Sequence, residues 1–420
     1  MSNNTFQNLI TRYFDSLRYR DFTFLWLCNI FSQGAAWGLI VARGWMVLEM
    51  SESSAMVGFV TFAAMAPLII IPPFSGFLAD RIDRKKIVGI CMSINLIQNI
   101  VLGVLGIFGL LEVWHIVSLS FINGIARAAQ MPATQALIPN LVPSNKLLNA
   151  ISLNAMTQHA ARLIGPGFIA PLMAESRLPE AFLICALLYF VGIVTLLKVR
   201  TVSTGIINKD ESFLANIFSG LTYIYTNVQV LSLTTLVVLH CAMTMSYESV
   251  LPVLVRDQIE LHALGISYLM MSVGAGSIFG VTILAGLESD IARGRSLLIS
   301  GIFSGIAGIA IAFSPTITYA IFSAFILGAS TSGFMAISHT MIQSIVPDAI
   351  RGRVTSMFVL HAGGIMAFMN LGNGYLADKF GPSPIMSIAA AGFLVMMVFS
   401  IMLPGWKPLY KGSISSTNNL

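Results

Sequence analysis

The sequence predicts an all-α membrane protein of twelve transmembrane helices, arranged as two pseudo-symmetric six-helix bundles. Three observations lead there. Mean hydropathy is +0.82, with 56% apolar and only 10% charged residues, against about 25% charged in soluble chains. Uncharged apolar runs recur along the chain at lengths that cross a bilayer, about 20 residues each. Short glycine-containing motifs reappear in the second half at nearly the same offset. Such a composition argues against a soluble enzyme, and the 35 glycines suit helices packed through small residues.

The spans follow in order. The first, 22–48, comes after a polar stretch carrying Arg12, Arg18 and Arg20, which does not resemble a cleavable signal. Spans 54–79 and 87–111 flank a short charged turn, Gly76 to Lys86. Only Glu112 divides the third span from the fourth, 113–135. Spans 149–173 and 181–198 complete the first bundle, residues 1–198. A cytoplasmic linker, 199–228, begins polar and continues through 213–226, where Phe213, Ile217, Leu221 and Ile224 share one helical face. That pattern predicts a short amphipathic helix at the membrane surface. The second bundle, 229–420 with its tail, holds spans 229–253, 265–287, 297–313, 317–344, 354–377 and 383–404. From Ser296 to Pro347 there is no Lys, Arg, Asp or Glu, and the helix-stopping pair Ser314-Pro315 divides that stretch into two spans.

Charge sets the orientation. With the N-terminus inside, cytoplasmic segments hold 17 of the 23 Lys and Arg residues; the outer loops hold only Arg177, Arg256 and Lys379. This is a strong positive-inside bias, so both termini are expected in the cytoplasm. The net charge of +5 is therefore loop bias and gives no reason to expect nucleic acid as a partner. Two repeats support the two-bundle arrangement. Gly76-x3-Asp80 is echoed by Gly286-x3-Asp290, and Gly165-Pro-Gly167-Phe by Gly372-Asn-Gly374-Tyr. Parallel repeats of this kind are a known transporter architecture. Cys28, Cys91, Cys185 and Cys241 all fall in apolar runs, with neither metal-ligand spacing nor a disulfide framework. No metal or cofactor is expected.

The turn Gly76-Phe-Leu78-Ala-Asp80-Arg81-Ile-Asp83-Arg84-Lys85-Lys86 resembles the signature loop of the major facilitator superfamily, with Asp83 where glycine is commonest. Trp45 to Ala55, Asn149 to Pro166 and Val346 to Val354 resemble the branch of secretion effectors and of siderophore and multidrug exporters. The resemblance covers nearly the whole chain. It implies a conformational latch, in which Gly76, Asp80, Arg81 and Arg84 work with Arg351 and Arg353 at the start of the eleventh span. A carboxylate such as Asp80 is well placed against the positive end of a helix; the bland alternative is that the basic residues only anchor topology. Gly165-Pro166-Gly167 partly matches the family's antiporter motif, which tracks export; Ala161, Ile169 and Ala170 depart from it. Pro and Gly here also suit a plain packing kink.

Ionisable groups inside spans are costly and mark function by default. Arg43, Arg127, Arg162, His159 and Glu248 are the candidates for proton coupling or substrate binding. Glu248 is the one acidic residue placed clearly within a span; burial disfavours a carboxylate's charged form, as a proton carrier needs. A salt bridge to Arg43 or Arg256 is the structural alternative. Asn29, Gln33, Trp37, Tyr247 and Gln343 are expected to line the cavity, with Asn154, Gln158 and Asn370 as further polar groups. For His159, His240, His339 and His361 a hydrogen-bonded structural role competes with pH-dependent switching.

The sequence thus points to a monomeric secondary transporter in a bacterial cytoplasmic membrane. It would drive proton-coupled (or Na+-coupled) efflux of small amphipathic molecules, such as a drug, siderophore or lipid-like compound, by alternating access. No nucleotide-binding or catalytic motif is present, so ATP-driven transport and enzymatic activity are not expected. An importer on the same fold and a non-transporting membrane sensor or scaffold are the rival readings.

Overall fold

The computed structural model describes residues 14–72, 81–203, 213–259, 262–284, 286–287, 289–348, 350–403 and 406–411. Gly76 and Asp80 lie outside the described residues. Ten helices are long and apolar enough to cross a membrane. Within the first half these are α1 (Arg20–Ser51), α2 (Ser54–Pro72) and α3 (Arg84–Ile107). Then come α4 (Val113–Leu137) and α5 (Leu147–Ala174), which are helices of 25 and 28 residues but are not among the ten. Asn123, Arg127 and Gln130 dilute the first, and Gln158, His159 and Arg162 the second. The half ends with α6 (Leu178–Leu197).

The linker helix forms as expected, α7 (Phe213–Thr226). The second half runs through α8 (Val228–His240) and, after a break, α9 (Leu251–Asp257). It continues with α10 (Ala263–Leu284), α11 (Asp290–Ala312), α12 (Ile317–Ile345), α13 (Arg351–Phe380) and α14 (Pro382–Ser400). Caps define many of these ends. Asp83 accepts from Lys85 N–H at the start of α3, and Thr316 caps α12 one residue after Pro315. Arg84, Lys85 and Lys86 are therefore the first turn of α3, not the loop before it.

Two compact units emerge from the packing. The first comprises residues 1–43 and 70–207, the second 44–69 and 208–420. The helix α2 thus packs with the second-half helices along most of its length. In the first unit, α3 and α6 meet through Gly103 and Gly106 against Leu183 and Pro179. A buried amide pair, Asn123 Nδ2 to Asn95 Oδ1 at 2.9 Å, joins α4 to α3. A strap at 198–203 is held by charged groups. Asp21 accepts from the backbone N–H of Arg200 and Thr201 at 3.0 and 2.8 Å. Lys85 donates to the Val199 carbonyl at 2.5 Å. In the second unit, α10 and α12 approach closely at Gly276, Gly280 and Gly328. Ile224 of α7 is fully buried in a core shared with α8, α12, α13 and α14.

The seventh expected span, 229–253, is not one helix. After His240 the chain makes a π turn, Cys241–Met245, then leaves helical geometry until Leu251. Pro252 has no N–H, so the Glu248 carbonyl has no helical donor. Ser246 Oγ also turns back to the Cys241 carbonyl at 2.7 Å, competing with the backbone ladder.

Candidate functional site

In the first unit, α1, α4 and α5 bring the polar residues together. Gly165 makes the crossing of α5 over α1 possible: a Cβ there would stand 2.3 Å from the Gly34 carbonyl oxygen and 2.9 Å from Gly38 N. Pro166 beside it is buried and Gly167 half-buried. One turn earlier, the Arg162 guanidinium lies 4.1 Å from the centre of the Trp37 ring, a favourable cation–π arrangement. His159, three residues before Arg162 on the same helix, is half-buried. Asn29 donates to Asn154 Oδ1 at 2.8 Å, and Gln130 to Ser32 Oγ at 3.4 Å; Gln33 is half-buried. Arg43 is 4% exposed and donates to Ser120 Oγ at 3.2 Å. Tyr189 of α6 is fully buried. Among the described residues no ion pair involves Arg127 or Arg162.

In the second unit, the break at 246–250 is fixed by two amides of α13. Asn373 Nδ2 donates to the Ser246 carbonyl at 2.8 Å, and Asn370 Oδ1 accepts from Ser249 N–H at 3.1 Å. Unwound backbone inside a membrane needs such protein partners. Tyr247 is buried and Glu248 half-buried within the break. Beside it a small cavity is lined by Thr244, Tyr247, Asn373 and Met386. Among the described residues Glu248 has no ion pair: Arg256 bonds Asp257 at 2.6 Å instead.

At its far end α13 meets the start of α2. Both carboxylate oxygens of Asp378 are used: Oδ1 accepts from Ser54 N–H at 2.5 Å, and Oδ2 from Ser53 Oγ at 2.5 Å and Ala55 N–H at 3.1 Å. At its near end Arg351, the first residue of α13, pairs with Asp348 just before the helix, and the Arg353 carbonyl stands close to Gly220 of α7.

A family of transmembrane secretion effectors matches residues 11–416. The chain belongs to that family. It is a major facilitator protein and a multi-pass membrane transporter. Its relatives include a staphyloferrin A transporter of Staphylococcus aureus, 24% identical over 94% of this chain and 92% of that protein. A macrolide efflux protein A of Enterococcus faecalis is 26% identical over 77% and 97%. A multidrug efflux pump, Tap, of Mycolicibacterium fortuitum is 23% identical over 90% and 94%. Among solved structures, the nucleoside transporter NupG superposes with a TM-score of 0.72, 14% identity, and coverage of 91% and 98%. A POT family transporter in complex with 5-aminolevulinic acid gives 0.72, 14%, 94% and 97%.

Not every expected residue gathers at these sites. Arg84 donates to the Ala136 carbonyl at 2.8 Å and to Ser203 Oγ at 3.2 Å, inside the first unit. Gln343 is exposed near the end of α12. His240 has no hydrogen-bond partner among the described residues; its ring stacks on Phe334 at 4.2 Å. His361 does bond, to the Met357 carbonyl at 2.7 Å. Sequence reasoning missed the break and Asp378. Pro252 was the available signal for the first.

Proposed function

We propose that this secretion effector is a proton-coupled exporter of small amphipathic molecules working by alternating access. The carrying observation is Glu248, a half-buried carboxylate without an ion pair among the described residues, set in an unwound segment of an otherwise apolar span. Such breaks form ion and substrate sites in secondary transporters, and Glu248 is the carboxylate set in this one. Both termini would face the cytoplasm, as the charge bias requires, and the relatives' efflux of macrolides and other drugs favours the outward direction. The halves of the transporter are proposed as residues 1–198 and 229–420, joined by 199–228. Arg43, Arg127 and Arg162 would favour a substrate bearing an anionic group.

Transport in proteoliposomes under an imposed pH gradient tests the reading, with a compound panel of macrolides, cationic drugs and carboxylate siderophores. Gradient-dependent movement that disappears in Glu248→Gln supports proton antiport through Glu248. Movement that needs Na+ instead, or accumulation in the opposite direction, would sink it.

A further inference from the structure

The string Gly-x-Leu-Ala-Asp followed by a basic residue occurs twice: Gly76-Phe-Leu-Ala-Asp80-Arg81, and Gly374-Tyr-Leu-Ala-Asp378-Lys379. The second copy closes α13, and α13 runs antiparallel to α2. Ser54 faces Gly374, Gly58 faces Asn370, Phe62 faces Phe368 and Ile69 faces Gly364. This seam tapers. At the Asp378 end, a Cβ on Gly374 would stand 2.4 Å from the Ser54 carbonyl oxygen, and one on Gly58 2.6 Å from the Asn370 carbonyl oxygen. Phe62 and Phe368 lie with ring centres 5.3 Å apart. At the other end, a Cβ on Gly364 would be 3.8 Å from Ile69.

The tight end is the one that carries the charge. Asp378 spends both oxygens on the first turn of α2, where the helix dipole is positive. Charge-assisted bonds of this kind are short and strong. Yet Asp378 itself is exposed, and two of its three bonds face water. Breaking them returns each group to solvent rather than stranding it, so the contact is strong enough to bias a state and open enough to release. The glycine seam beneath it interlocks no large side chains at Gly58 and Gly374.

We propose that Asp378 is a releasable clamp of the transport cycle, holding the outer end of the α2–α13 seam shut in the state described here and letting it part in the other. The proposal rests on the alternating access and the membrane orientation proposed above, and on neither the transport direction nor the coupling ion.

Cysteine accessibility tests it without substrate or gradient, so its failure is separate from failure of the exporter reading. The native Cys28, Cys91, Cys185 and Cys241 are buried and give little background. One reporter is Ser54→Cys, a site 1% exposed in the seam, probed from outside with a membrane-impermeant maleimide. The second is Ser356→Cys, exposed near the opposite end of α13, probed with a permeant one. Asp378→Asn should speed labelling of Ser54→Cys about fivefold and slow that of Ser356→Cys by a similar factor; Asp378→Glu, keeping the charge, should restore most of the slow rate at Ser54→Cys. Unchanged labelling at Ser54→Cys would overturn the clamp. So would faster labelling there with none slowed at Ser356→Cys, since Asp378 would then only cap α2 locally.

Discussion

Asn373, two turns from the C-terminal end of α13, donates its amide N–H to the carbonyl of Ser246 at 2.8 Å, at the start of the break in the seventh span. The bond is buried, and it satisfies a backbone acceptor that no helix turn reaches. Asn373→Leu should therefore destabilise the protein by about 1–3 kcal/mol, the cost of an orphaned buried polar group. Asn373→Asp keeps the shape but turns an acceptor toward an acceptor, and should be worse. Melting temperatures in detergent decide the matter; an Asn373→Asp variant as stable as wild type would remove the amide from this role.

Gly165 and Gly372 are echoes of one another in sequence and opposites in structure. A Cβ at Gly165 meets the Gly34 carbonyl at 2.3 Å, whereas a Cβ at Gly372 meets nothing within 4 Å among the described residues. Gly165→Ala should overpack the α1–α5 crossing and cost about 1–3 kcal/mol. Gly372→Ala should be neutral or stabilise by up to about 1 kcal/mol through helix propensity. Equal effects of the two substitutions on thermal unfolding would contradict these contacts.

The Arg162–Trp37 pair separates charge from stacking. Arg162→Lys retains the positive charge but loses the planar guanidinium that lies over the ring. If the proposed anionic substrate binds here, Arg162→Gln should weaken transport of carboxylate compounds by about tenfold while leaving neutral ones within about twofold, and Arg162→Lys should fall between. Initial rates for paired charged and neutral compounds read the difference. A uniform loss across both sets would point to packing alone.

Asp15 pairs with Lys146 at 2.5 Å, joining the segment before α1 to the start of α5. The hydrogen bond from Lys146 holds the Asp15 carboxyl below its ordinary value of 3.8. A carboxyl lowered in the folded state stabilises above its unfolded value and loses that contribution as pH falls through the lowered one. Stability should thus decline below about pH 4 more steeply in wild type than in Asp15→Asn. Parallel melting curves for the two proteins on acidification would show the pair to be inert.

Much of the fold was legible because apolar length is written locally. Span edges such as Pro315, with Thr316 as cap, need no distant partner, and neither does the face that sets Ile224 into the core. The close approach at Gly165 was visible for a similar reason, since a glycine and a proline within an apolar run ask for a tight crossing. What stayed hidden depends on residues far apart in the chain. Pro252 marks a weak point, but the break at Ser246 holds only because Asn370 and Asn373 stand opposite it. Asp378 is not legible locally, because its partner is the start of an antiparallel helix more than 300 residues away in the chain. Arg84 and Lys85 belong in sequence to a charged turn, yet they begin α3 and reach across to the strap at 198–203.

The modest apolarity of α4 and α5 has a consequence for how the protein is made. Each carries an arginine, Arg127 or Arg162, along a stretch that holds few strongly apolar neighbours. An arginine near the middle of a helix entering the bilayer alone costs about 2.5–3.5 kcal/mol. Trp37 and the crossing at Gly34 and Gly38 lie on α1, which leaves the ribosome well before α5. Biogenesis then favours a waiting scaffold, with the early helices held beside the translocon until the later, more polar ones can enter against them.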